Sequence, residues 1–117
     1  MKKQSFNYSR TVVLDATTQI VTAEISKNGA LTMVQVLSGT DETTSPTRLD
    51  IGYLRGAHFV PYQSSLAPAI GQTVPFTGEM FLVVDEKPAI RIVGGVVGDH
   101  VQIAVGGYQL FNQDMED

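Results

Sequence analysis

The sequence of 117 residues contains no cysteine and no tryptophan, and only 17% of its residues are charged. Without cysteine there is no disulfide framework, no thiolate zinc site and no cysteine nucleophile. A net charge of −4 argues against nucleic acid as a partner. No apolar run approaches the ~20 residues of a membrane helix, and Lys2 and Lys3 lead into polar residues, so we expect neither a membrane span nor a signal peptide.

The residues that are abundant favour β-strands. The chain has 14 valines, 7 isoleucines and 11 threonines, against only 8 leucines and 8 alanines. Branched side chains lose rotamer freedom in helices and pack well on sheets. No helical stripe of apolar residues persists for three turns, so the composition predicts an all-β chain.

Short alternating segments separated by turn residues cover most of the chain. Leu49, Ile51 and Tyr53 alternate with smaller or polar residues, and Asn28-Gly29 is a strong signal for a tight hairpin turn. Seven to nine such strands predict one antiparallel β-sandwich over residues 1–117, with residues 1–5 and 112–117 as flexible arms. Residues 62–73 lack periodicity and are interpreted as a long excursion between two halves. Eight strands with one excursion favour a jelly roll, with an immunoglobulin-like sandwich as the rival.

Several predicted strands are apolar on both faces. The segment Met80–Val84 has no polar residue, and Val12-Val13-Leu14 and Met33-Val34 show the same excess. A small sandwich normally leaves one face of each sheet wet, so both faces of these strands need cover. Either the excursion at 62–73 covers one sheet, or neighbouring subunits do.

One group of residues stands out as a candidate contact site. Aromatic and polar side chains are densest in the segment that contains Tyr53, Arg55, Phe59 and Tyr62, with His58 among them. Tyrosine and arginine are enriched at protein interfaces, and aromatic rings also stack on sugars or bases. The set therefore fits a subunit contact, a ligand platform or ordinary packing.

Other chemistry-bearing residues give weaker signals. Asp41 and Glu42 lie in a polar loop whose oxygens suit a hard cation, but they lack the alternate carboxylates of a calcium loop. His58 and His100 are the only histidines, and neither has the spacing of a metal ligand set. We therefore predict no catalytic residues, no bound metal and no cofactor.

The second half of the chain resembles the small all-β virion proteins of bacteriophages. The resemblance rests on a strand pair with an extended polar loop, followed by a Gly-Asp-x-hydrophobic strand that ends in Gly-Tyr, here Gly98-Asp99 to Gly107-Tyr108. It implies a jelly roll or related sandwich that serves as a minor capsid, vertex or decoration subunit. It implies location in the virion after assembly in the host cytoplasm.

The resulting expectation is a non-enzymatic structural protein that assembles with itself or with a larger capsid lattice. Tyr53, Arg55, Phe59 and Tyr62 are its predicted contact residues. A carbohydrate- or ligand-binding module is the alternative, favoured by the same aromatic residues and disfavoured by the lack of tryptophan. An enzyme is the third possibility, and a deep pocket with convergent polar groups would be its mark.

Overall fold

The computed structural model of the chain describes residues 2–25 and 31–111. These residues form eight strands, which are β1 (Lys2–Val13), β2 (Gln19–Thr22), β3 (Leu31–Asp41), β4 (Arg48–Arg55), β5 (His58–Leu66), β6 (Val74–Leu82), β7 (Glu86–Val93) and β8 (His100–Phe111). No helix in the described part of the chain is long and apolar enough to cross a membrane. The Asn28-Gly29 turn and the segment 112–117 lie outside the described residues.

The strands form two four-stranded sheets, ordered β1-β8-β3-β6 and β2-β7-β4-β5, with antiparallel pairing throughout. We call them sheet A and sheet B. The chain passes between the sheets at nearly every connection, and only β4 and β5 are consecutive in one sheet. This order is that of a jelly roll, so the prediction of an antiparallel, jelly-roll-like sandwich is confirmed.

The core lies between the facing sheets and follows the alternation in the sequence. Leu49 and Ile51 of β4 point inward and are fully buried, and Ile90 and Ile92 of β7 share that face. Sheet A contributes Val34, Leu37, Met80, Leu82, Val101 and Ile103 to the same buried cluster. At ~25 cal/mol per Å², burial of these apolar side chains is the main term that stabilises the sandwich.

Two expectations about the segments around the core were wrong. Residues 2–5 are not a free arm, because they belong to β1 and pair with residues 108–111 of β8. The stretch 62–73 is not one excursion either, because β5 continues through Pro61 to Leu66. Proline is tolerated there because β5 is an edge strand and the ladder has a bulge between Ile51 and Gly52.

The connections β1–β2, β3–β4, β5–β6 and β7–β8 meet at one end of the sandwich, which we call the loop end. Backbone hydrogen bonds join them there, from Gly95 to Thr17, from Ala67 to Thr47 and from Gly71 to Asp41. The turns β4–β5 and β6–β7 lie at the opposite end. The loops therefore form one continuous surface, built by four separate segments of the chain.

Candidate functional site

Three aromatic rings close the side of the sandwich where β5 and β6 meet. Tyr62 of β5 contacts Tyr53 of β4 edge to face at 5.8 Å between centroids, and contacts Phe76 of β6 in the same way at 5.7 Å. Gln63 donates a hydrogen bond from Nε2 to the Pro75 carbonyl at 3.0 Å, across the same side. Tyr62 remains 48% exposed, so this aromatic side offers a ring to solvent while the rest of the cluster packs inward.

Arg55 borders the aromatic side and is held by a buried acid. Its Nη2 donates to the Tyr53 hydroxyl at 3.2 Å, and its guanidinium pairs with the carboxylate of Glu86 at 2.6 Å. The hydrogen bond that Arg55 donates to Glu86 raises the pKa of Arg55, and the charge of that carboxylate adds to the effect. The predicted contact residues Tyr53, Arg55 and Tyr62 are therefore brought together by the fold.

Phe59 lies apart from the other three predicted contact residues. It points to the outer face of sheet B, is only 6% exposed, and is covered by the Arg91 guanidinium at 4.7 Å from its ring centre. A ring so well covered presents little surface to a partner. Its role as a contact residue remains a prediction, with less surface to support it than the other three have.

The outer face of sheet B also holds a buried carboxylate that the sequence analysis did not single out. Asp50 accepts hydrogen bonds from Arg48 and Ser64 on Oδ1, at 2.8 and 2.6 Å, and from Arg91 on Oδ2 at 2.9 Å. Burial raises the pKa of Asp50, but the bonds from Ser64, Arg91 and Arg48 outweigh it and lower the pKa overall. Both carboxylate oxygens of Asp50 thus accept hydrogen bonds, from side chains of β4, β5 and β7. The cluster therefore links these three strands.

A second carboxylate site lies at the loop end, where Asp41 and Asp99 meet beneath the surface. Each residue is 1% exposed. Asp41 Oδ1 accepts the backbone N–H groups of Thr43 and Thr44 at 3.0 Å, and the Thr44 hydroxyl donates to Asp99 at 2.5 Å. The other carboxyl oxygen, Asp41 Oδ2, is buried and has no hydrogen-bond partner.

Asp41 and Asp99 are neighbouring acids in this pocket, and each affects the pKa of the other. Burial raises the pKa of Asp41, and the neighbouring Asp99 raises it further. Burial acts in the same direction on Asp99, but donors from Thr44, Asp41 and Val96 outweigh it and lower its pKa. On acidification, Asp41 is therefore the member of the pair that takes up a proton first.

The hard-cation pair of Asp41 and Glu42 considered from the sequence does not form. Asp41 is buried against Asp99, whereas Glu42 is exposed. His58 and His100 begin β5 and β8, at opposite ends of the sandwich. Within residues 2–25 and 31–111, no three histidine or carboxylate side chains gather as a metal site would require.

Exposed apolar side chains lie at both ends of the molecule. At the loop end Leu66 is 79% exposed and Ile70 64%, and Val13, Val96 and Val97 are each at least half exposed. Around the β6–β7 turn the exposed residues are Phe81, Val83 and Val84. Residues 62–73 do not pack over the outer face of either sheet. Within the described residues, the chain itself therefore does not cover these exposed apolar side chains, as one of the two alternatives had expected. Met33 is the exception, at 3% exposed, because its cross-strand neighbours are Phe81 and Tyr108.

A shallow groove of about 590 Å³ runs along the outer face of sheet A. Its floor is Ala104 and Gly106, and its polar walls are Ser5, Asn7 and Gln35. A Cβ at position 106 would lie 2.9 Å from Asn7 Oδ1, so glycine is what keeps the groove open there. The bulge of β3, between Val34 and Val36, brings Gln35 to its rim.

The geometry defines the class of protein as a jelly-roll sandwich whose described residues include buried carboxylates paired with arginines, and exposed apolar side chains at both ends. No protein-family model matches the chain, and no curated protein matches its sequence. Among solved structures it is similar to one described as "Bacillus endospore appendages form a novel family of disulfide-linked pili", with a TM-score of 0.52 and 13% identity over 96% of this chain and 93% of that chain. That likeness is one of fold.

A more distant match is a chain of "Structure of infectious bursal disease virus Gx strain". The TM-score is 0.35 at 11% identity, over 92% of this chain and 31% of that chain. At this distance the match adds nothing to the assignment of fold.

Proposed function

We propose that the protein is a non-enzymatic structural subunit of a virion, a minor capsid, vertex or decoration protein that assembles with copies of itself or on a larger capsid lattice. The observation that carries the proposal is the apolar surface at the two ends. Val13, Leu66, Ile70, Val83, Val84, Val96 and Val97 are each at least half exposed in the single chain. Apolar patches of this kind mark surfaces that associate.

The jelly-roll topology supports the same proposal at the level of fold. This architecture is common in capsid proteins, although lectin domains share it. The pilus protein of similar fold is described as disulfide-linked. This chain contains no cysteine, so disulfides do not link any assembly that it forms.

Solution mass is the direct test of assembly. Light scattering after size-exclusion chromatography, over a hundredfold range of concentration, should give a mass above 12.7 kDa that grows with concentration. Replacing Leu66 and Ile70 by serine should reduce the assembly, because their exposed side chains would no longer leave water on association. A mass of 12.7 kDa at every concentration, with no lattice protein recovered on co-purification, would refute the proposal.

A ligand-binding module is the second candidate, and the groove on sheet A favours it. Its hydroxyl and amide groups from Ser5, Asn7 and Gln35 suit the hydroxyls of a sugar, and Tyr62 offers a separate ring for stacking. A glycan array tests this function. Saturable binding that is lost with Asn7→Ala or Tyr62→Ala, in a chain that remains monomeric, would favour it over the structural role.

A further inference from the structure

Strand β1 is the longest of the four edge strands of the described sandwich, and the charged residues Lys2, Lys3 and Arg10 are the only protection of its edge. It runs for 12 residues without proline, glycine or a bulge, and it pairs only with β8. The other edges are blunted: β2 has 4 residues, β5 contains Pro61, and β6 contains Pro75 and Gly78. Proteins commonly protect edges in these ways, because an open edge pairs with another strand.

The hydrogen bond from Leu14 N–H to the Asp99 carbonyl shows which backbone groups of β1 are unpaired. In an antiparallel ladder, alternate residues direct both N–H and C=O to the same side. Residues of even number in β1 therefore bond to β8, and those of odd number direct their groups outward. The outward set is Lys3, Ser5, Asn7, Ser9, Thr11 and Val13.

The inward side chains of β1 are also incompletely covered. Phe6, Tyr8 and Val12 pack against the core but remain partly exposed, since β2, the facing edge strand of sheet B, is only 4 residues long. The Nε of Arg10 is buried and has no hydrogen-bond partner. An additional strand at this edge would cover the two aromatic rings and surround the guanidinium.

We propose that β1 pairs antiparallel with β1 of a second copy, joining the two A sheets into one continuous sheet about a two-fold axis. This inference rests on the proposed function, and it adds a second contact surface, at the side of the sandwich, to the apolar ends. In the register that pairs every outward residue, Lys3 faces the partner's Val13 and Tyr8 faces the partner's Tyr8. Phe6 then faces the partner's Arg10, which places a guanidinium beside an aromatic ring.

The charges of β1 favour a second copy in this orientation. The strand carries Lys2, Lys3 and Arg10 and no acidic residue. Antiparallel pairing places the two lysine pairs at opposite ends of a 12-residue ladder, whereas parallel pairing would bring them side by side. Val13, half exposed in the single chain, becomes covered by a lysine stem.

The size of the contact sets the expected strength. A ladder of 12 residues is about 40 Å long and buries on the order of 400 Å² per copy across the ~10 Å depth of a sheet, about half of a standard interface. Its hydrogen bonds number about a dozen, which is ordinary for a complete interface. We therefore expect a reversible dimer that forms at high concentration and strengthens when other surfaces assemble.

Cysteine substitution tests the register, because the chain has no thiol of its own. Tyr8→Cys should form a disulfide dimer on mild oxidation, since residues directly opposite at a non-hydrogen-bonded pair lie ~4.5 Å apart at Cα, within the range of a disulfide. Phe6→Cys is the matched control, because its thiol would lie about four residues, or ~13 Å, from the partner's. A dimer strongest with Asn7→Cys, or equal yields at all positions, would overturn this register.

The substitution Ser9→Pro tests pairing at the outer edge of β1 without changing a core residue. Proline removes an outward N–H and leaves the pairing with β8 intact, and Ser9→Ala is its control. Wild type and Ser9→Ala should form a dimer that Ser9→Pro lacks at the same concentration, with unchanged circular dichroism. Assembly that Ser9→Pro does not affect would overturn the inference and leave the proposed function standing. A wild type that stays monomeric, or that binds only an added acidic strand peptide, would overturn the pairing of two copies.

Discussion

The raised pKa of Asp41 gives the loop end a pH dependence that a single substitution should remove. In Asp41→Asn, the amide oxygen still accepts from Thr43 and Thr44, and the amide nitrogen can donate to the neighbouring Asp99. The variant therefore reproduces the protonated acid at every pH. Asp41→Ala is the matched control, because it removes the same charge but leaves two partly buried backbone donors, those of Thr43 and Thr44, without an acceptor.

The direction in which stability changes with pH follows from the shifts of the two pKa values in the folded chain. Asp41 has a raised pKa in the folded chain, so its contribution is full below the unfolded value near ~3.9 and is lost as pH rises through the folded value. Asp99 has a lowered pKa, so its contribution is present above ~3.9 and is lost as pH falls through the folded value. Because Asp99 is present in both proteins, the wild type should lose stability relative to Asp41→Asn as the pH rises.

The magnitude is that of one hydrogen bond to an ionised acceptor. Such a bond contributes about 1.5–3 kcal/mol, so Asp41→Asn should raise the free energy of unfolding by roughly that amount at pH 8 and by nearly nothing at pH 3. Asp41→Ala should lower it by about 1–3 kcal/mol at both pH values.

Urea unfolding followed by circular dichroism from pH 3 to pH 9 measures these differences. The protein concentration must be fixed, because assembly shifts apparent stability. An Asp41→Asn profile parallel to that of the wild type, or a loss of stability at pH 8, would refute the raised pKa of Asp41.

Three further predictions concern the sheets. Asp50→Ala should lower the free energy of unfolding by about 2–4 kcal/mol, because two arginines and a serine lose their acceptor. This loss should shrink as the pH falls through the lowered pKa of Asp50, and thermal unfolding at pH 7 and pH 3 checks it. Gly52→Ala should prevent folding or cost more than ~4 kcal/mol, because its Cβ would overlap the Val60 carbonyl oxygen, whereas Gly56→Ala, with open space at φ +60°, should cost only about 1 kcal/mol by urea unfolding. Ile90→Ala should cost about 2–5 kcal/mol by the same measurement, and a smaller loss would mean that the core collapses around the cavity.

Most of the fold could be predicted from the alternation of apolar and polar side chains along the strands. Leu49 and Ile51 point inward as their period predicts, and so do Ile90 and Ile92. The alternation of side chains does not determine the order of the strands. The choice between a jelly roll and another sandwich therefore depends on which strands pair with each other. The effect of Pro61 could not be predicted locally, because it depends on whether the strand is central or at an edge, which is a property of the whole sheet.

The site was less predictable than the fold for a related reason. Tyr62 meets Phe76, and Asp41 meets Asp99, across connections that no local pattern reveals. The Asp50 cluster had a partial signal, since Arg48 and Asp50 are two apart and must share a face of β4. A polar pair on one face of an otherwise apolar strand would have indicated it.

The gathering of four connections at the loop end has a consequence for how this molecule can change. Their lengths and side chains can vary together at one pole without moving a strand, since the ladder registers are set elsewhere. A short epitope inserted after Ala69 would therefore project from that pole alone. In any particle that contains the protein, antibody access to the epitope would report whether this pole faces outward or is covered by a neighbour.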